Sequence, residues 1–95
     1  MPIDDMQEMR DLRDTIEVLD KRIIILLSVR FGLSQDFATL KAKHNFKIHD
    51  PERETILHRM YEQWANDTGV NPNLVHTIFD AVMRESRNIQ TPDGP

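Results

Sequence analysis

One guanidinium, that of Arg30, interrupts an apolar row that otherwise reads Met9, Leu12, Ile16, Leu19, Ile23, Leu26, Leu33, Phe37 and Leu40. A cation on an apolar face is costly unless an anion meets it. That anion is either an internal partner, for which Glu54 and Asp50 are the candidates, or a bound ligand. Lys41 follows eleven residues later, rotated by only about 20° from Arg30 and roughly 16 Å further along a helix. Two long cations on one face can grip the ends of a small dianion. Taken alone, Lys41 also suits a solvated helix end, as Lys43 does.

The stretch KIHDPERETI adds acceptors. Asp50 and Pro51 form an N-cap and first-turn proline, and Glu54 lies on the same helical face as Asp50. Arg53 fits this turn poorly, because a cation opposes the positive end of the helix dipole, and it reads as a brace between neighbouring carboxylates. Ser86 and Gln90 are spaced i, i+4 and place a hydroxyl and an amide on one face, as a specificity network or a ligand lining. Arg13 would stand roughly 42 Å from Lys41 along a continuous helix, so the two can share a small ligand only across two chains. His44, His49, His58 and His76 show no HExxH or paired spacing, and Glu54 with His58 reads as a surface pair, so no metal site is expected. No phosphate loop or nucleophile elbow occurs, and no cofactor is expected. The chemistry left is a helical cavity that binds a small polyanion without a covalent step.

The elements that must hold these groups follow from periodicity. Ninety-five residues, 39% hydrophobic and 29% charged, suit one soluble domain spanning residues 1–95. A net charge of -4 argues against a nucleic-acid or anionic-membrane surface, and no cysteine is present for a disulfide or thiolate. The N-terminus lacks a signal peptide's basic start, no apolar run approaches the ~20 residues of a membrane span, and the cytoplasm is the expected location. Spacings of three and four predict a first helix over 5–43, interrupted only by Gly32. A second helix is expected from Pro51 to about Asp67, with Leu57, Met60, Tyr61 and Trp64 on its apolar side and Gly69 as its stop. A third starts at the NP of 71–72 and carries Val75, Phe79, Val82, Ser86 and Ile89, and TPDGP is a frayed end. The fold class is all-α. A first helix of roughly 58 Å is about twice the diameter of a compact chain of this size. Its apolar seam therefore needs cover, and a second copy across a two-fold axis supplies it, giving an intertwined homodimer.

With these residues in hand, LRDTIEVLDKRIIILLSVR, the lysine of TLKAK, DPERE and ESRNIQ resemble the all-helical, AroQ-type (type II) chorismate mutases over about residues 6–91, without a gap. The resemblance implies three helices per chain, long first helices intertwined in a dimer, and an arginine lent by each subunit to the other's site. By position, Arg30 and the partner's Arg13 would hold the two carboxylates of chorismate, with Ser86 at the ring carboxylate. Lys41 and Gln90 would face the ether oxygen, and Glu54, with Asp50 beside it, the ring hydroxyl. The reaction implied is the Claisen rearrangement of chorismate to prephenate in aromatic amino acid biosynthesis. Isochorismate pyruvate-lyases share the fold but usually lack the acid at Glu54, and a mutase of 4-amino-4-deoxychorismate is a further alternative. The non-enzyme alternative is a helical dimerisation module whose polar groups fix register.

Overall fold

No proline and a single glycine fall between Ile3 and His44, and the chain there forms one uninterrupted helix, α1 (Pro2–His44). The computed structural model describes residues 2–91, with side chains from Asp4. It adds α2 (Pro51–Thr68) and α3 (Pro72–Gln90), with no strand among the described residues. The end expected to fray lies, from residue 92 on, outside the described residues.

The helix boundaries fall where the capping chemistry puts them. Asn45 takes the left-handed conformation at φ 59, and Phe46 N–H bonds back to the Lys41 carbonyl at 2.9 Å, closing α1. Asp50 caps α2 by accepting from Arg53 N–H at 3.0 Å, with Pro51 in the first turn. Gly69, at φ 75, ends α2 in the left-handed region that a side chain would strain. Asn71 then caps α3 by accepting from Asn73 N–H at 2.9 Å.

The chain divides into two compact units, one ending at Arg30 and the other beginning at Phe31. The first is the N-terminal part of α1, a single helix carrying surface bonds such as Gln7 to Asp11. The second comprises the last turns of α1 with α2 and α3. Its core is small: Tyr61, Ala65, Val82 and Met83 are its buried apolar residues among those described, and Tyr61 stacks on Phe79 with ring centroids 4.2 Å apart.

Two stripes differ from the expected ones by a single residue. Toward the interior of the second unit α1 presents Phe31, Ser34, Ala38 and Lys41, whereas Leu33, Phe37 and Leu40 of the expected seam stay exposed. One residue is a turn of about 100°, so α1 carries two faces here, and only the face built on Ser34 is used within the chain. On α2 the buried stripe is Tyr61 and Ala65, while Met60 and Trp64 face outward. The seam residues other than Arg30 are each between 50% and 66% exposed. The expectation that no segment approaches a membrane span needs correcting: α1 contains an 18-residue window of mean hydropathy 1.4, long and apolar enough to cross a bilayer by length and composition alone. Uninterrupted apolar runs are short in α1, but a few polar residues scattered through a long helix leave its window average high.

Candidate active site

Five of the seven sequence-predicted site residues, Lys41, Asp50, Glu54, Ser86 and Gln90, lie in the second unit. The turn at Asn45 folds the chain back so that the Ile48 carbonyl accepts from Lys41 Nζ at 3.0 Å. Lys41 Nζ also donates to Gln90 Oε1 of α3 at 2.7 Å and lies 5.8 Å from the centre of the Phe37 ring. An ammonium only donates, so the Gln90 amide must turn its oxygen to Lys41. Its nitrogen then faces its own helix and donates to the Ser86 carbonyl at 3.2 Å. Two of the three Lys41 hydrogens and one of the two on the Gln90 amide are spent in this way. One donor on each is left for a ligand.

Ser86 is buried, and its hydroxyl is hydrogen-bonded to that of Ser34 on α1. Ser34, at 4% exposure, is the most buried polar residue of the site, and the sequence reasoning gave it no role. Its signal was present: it lies seven residues before Lys41 and so shares its face.

Glu54, half-buried in the first turn of α2, accepts from Nη1 of Arg87 with both carboxylate oxygens, at 2.7 and 2.6 Å. His49 Nε2 stands 3.8 Å from the same carboxylate. The guanidinium that braces this acid is therefore Arg87 of α3. The expected brace, Arg53, meets Asp50 through its backbone N–H. Arg87 sits in the ESRNIQ stretch between Ser86 and Gln90, but only the packing of α3 on α2 reveals which carboxylate it faces. Asp50 is exposed and serves as the cap. The expected surface pair of Glu54 with His58 does not form: Glu54 is held by Arg87, and His58 bonds Asp80 across the helices at 2.8 Å.

Arg13 and Arg30 belong to the first unit, where Arg13 is exposed and Arg30 half-buried on α1. Of the two internal partners expected for Arg30, Glu54 accepts from Arg87 and Asp50 caps α2.

The second unit thus offers two unspent donors on Lys41 and Gln90, a carboxylate with spare lone pairs on Glu54, and a buried hydroxyl on Ser86. Such a set recognises an oxygen-rich small molecule and supplies hydrogen bonds rather than a nucleophile. The family profile described as Chorismate mutase type II matches residues 12–91. Among curated proteins, the T-protein of Enterobacter agglomerans is 32% identical over 87 residues, covering 92% of this chain and 23% of that protein. The chorismate mutase of Methanocaldococcus jannaschii is 25% identical over 85 residues, covering 90% of this chain and 86% of its own. A bifunctional chorismate mutase/prephenate dehydratase of Buchnera aphidicola (strain Bp) is 31% identical over 74 residues, or 78% of this chain and 20% of the relative. The chain spans less than a quarter of the length of the T-proteins it matches. No solved structure matches it significantly. With the match running from Leu12 of α1 to the end of α3, this chain belongs to the chorismate mutase type II family.

Proposed function

We propose that the protein is a chorismate mutase, an isomerase that rearranges chorismate to prephenate in the route to phenylalanine and tyrosine, acting as a homodimer. The observation that carries the proposal is the Lys41–Gln90 pair at 2.7 Å, which fixes two side chains and leaves one N–H on each. In the Claisen rearrangement the ether C–O bond breaks as a C–C bond forms within the same molecule, and neither base nor nucleophile is needed. Negative charge grows on the ether oxygen, and two preorganised donors stabilise it more in the transition state than in the ground state. Holding the substrate in a compact, chair-like conformer supplies the rest of the rate.

The remaining roles follow the polar groups. Arg30 and the partner's Arg13 hold the two carboxylates. With Ser34 as donor in the serine pair, the Ser86 proton is left for the ring carboxylate. Glu54, with Asp50 nearby in the same first turn, accepts from the ring hydroxyl, since a carboxylate bound to one guanidinium nitrogen keeps lone pairs for a second donor. The Arg87 charge also favours a neutral hydroxyl over an ammonium at this point, which supports chorismate over its 4-amino analogue. Dimerisation is supported by the exposed seam of α1, which one protomer leaves uncovered, and by the need to bring Arg13 to a distant site.

The test is the loss of chorismate absorbance with purified protein and identification of the product, run in parallel on isochorismate and 4-amino-4-deoxychorismate. Prephenate from chorismate is expected. Pyruvate release from isochorismate would make the protein a lyase, and no turnover of any of the three would leave the dimerisation module.

A further inference from the structure

No HExxH pair occurs along the chain, yet folding brings two histidines onto Asp80, a carboxylate given no role toward chorismate. His76 and Asp80 are one helical turn apart on α3, and His58 reaches them from α2. The His58 Nε2 lies 2.8 Å from Asp80 Oδ1, the His76 Nε2 lies 3.2 Å from Asp80 Oδ2, and the two rings stand 3.9 Å apart. One ligand atom from each of the three falls within 4.8 Å of the others. We propose that His58, His76 and Asp80 form a binding site for a divalent transition cation of the zinc type, which staples α2 to α3.

The donor set is two imidazoles and a carboxylate, which suits zinc and its neighbours and leaves a coordination position for water. Around a tetrahedral cation with bonds of about 2.0–2.1 Å, ligand atoms stand about 3.3 Å apart. The contacts of 2.8 and 3.2 Å go to different oxygens of Asp80, so the carboxylate either chelates the cation through both or turns to offer one, and the three ligand atoms, now within 4.8 Å of one another, draw in toward that spacing. An opening of about 470 Å³, lined by both histidines together with Thr55, Glu62 and Asn73, gives a cation and its water a way in. A carboxylate only accepts, so without metal each Nε2 facing it carries a proton, and the cation takes the place of those protons. The ring proton of His58 then sits on Nδ1, which is buried with no hydrogen-bond partner. A ligating histidine without that outer support loses about 10–100-fold in affinity, so this site binds more weakly than one whose histidines are all supported.

The experiment uses the full chain, freed of metal with a chelator, and Zn²⁺ or Co²⁺ alone. Calorimetry is expected to give one Zn²⁺ per chain, saturating below millimolar Zn²⁺, Co²⁺ a visible absorption band, and thermal unfolding a midpoint that rises with Zn²⁺. His76→Gln and Asp80→Asn lie at exposed positions and keep the helical circular dichroism, and each should weaken binding at least tenfold. A His44→Gln/His49→Gln double variant should bind as the parent does. Binding that survives both single variants, that vanishes with the double variant, or that is absent at millimolar Zn²⁺ overturns the proposal. None of these readouts uses chorismate, so they stand apart from the proposed activity.

Discussion

Replacing Gln90 with leucine removes from the site one acceptor and one aimed donor while nearly keeping the volume of a side chain that is 9% exposed. Gln90 accepts from Lys41 at 2.7 Å and donates to the Ser86 carbonyl at 3.2 Å, so its second N–H is the one that the proposed function assigns to the ether oxygen. In Gln90→Leu, Lys41 keeps the Ile48 carbonyl at 3.0 Å and stays near its place. The variant loses one donor that matters chiefly in the transition state, worth about 3–4 kcal/mol, so kcat should fall by roughly 10²–10³-fold. A ground-state ether is a weak acceptor, and KM should move by less than about threefold. Stability should fall by about 1–2 kcal/mol, because the part-buried Lys41 ammonium loses one acceptor while an apolar residue fills a mostly buried position. Initial rates from chorismate absorbance give kcat and KM, and thermal unfolding followed by circular dichroism checks the fold. A kcat within about fivefold of the parent, in a variant that melts normally, would refute the placement of Gln90 at the breaking bond.

The apolar seam of α1 makes the next expectation. Leu19 is half exposed in the protomer, so Leu19→Lys should leave the second unit's packing intact and shift sedimentation from dimer to monomer; a parent protein that sediments as a monomer and partitions into lipid vesicles would contradict the dimer. Ser34→Ala leaves the Ser86 hydroxyl buried without this partner and should cost about 1–3 kcal/mol, with Ser34→Ala/Ser86→Ala costing less than the sum of the two in chemical denaturation. Arg87→Ala removes the guanidinium from a carboxylate that is only 26% exposed, and about 1–2 kcal/mol of stability should go with it. Under the proposal that Glu54 binds the ring hydroxyl before and during reaction alike, its loss of orientation should raise KM severalfold more than it lowers kcat.

What the sequence revealed and what it hid divide along physical lines. The caps at Asp50–Pro51 and Asn71–Pro72 and the stop at Gly69 are local chemistry, and each boundary falls at the expected residue. The inner face of α3 was legible as well, since Val82 and Ser86 keep a helical spacing and both are buried. Which of two adjacent stripes faces inward was not legible, because Leu33, Phe37 and Leu40 fit an apolar face better than Ser34, Ala38 and Lys41. An apolar seam read from one chain does not say whether it meets its own helices or a second copy's. Pairings across helices were hidden for a related reason. Spacing along the chain reports neighbours on one helix, so it offered His58 for Glu54, whereas packing of α2 against α3 gives Arg87 to Glu54 and Asp80 to His58. The histidine cluster escaped notice for the same cause.

The site assembled from two chains can be tested by mixing Arg13→Ala and Arg30→Ala proteins, each inactive alone, under conditions that let subunits exchange. If each site draws Arg13 from the opposite chain, half the dimers formed are mixed and one of the two sites in each is whole, so chorismate mutase activity should return to about a quarter of the parent's. If every site is built within one chain, no mixed dimer has a whole site and activity stays at the level of the variants.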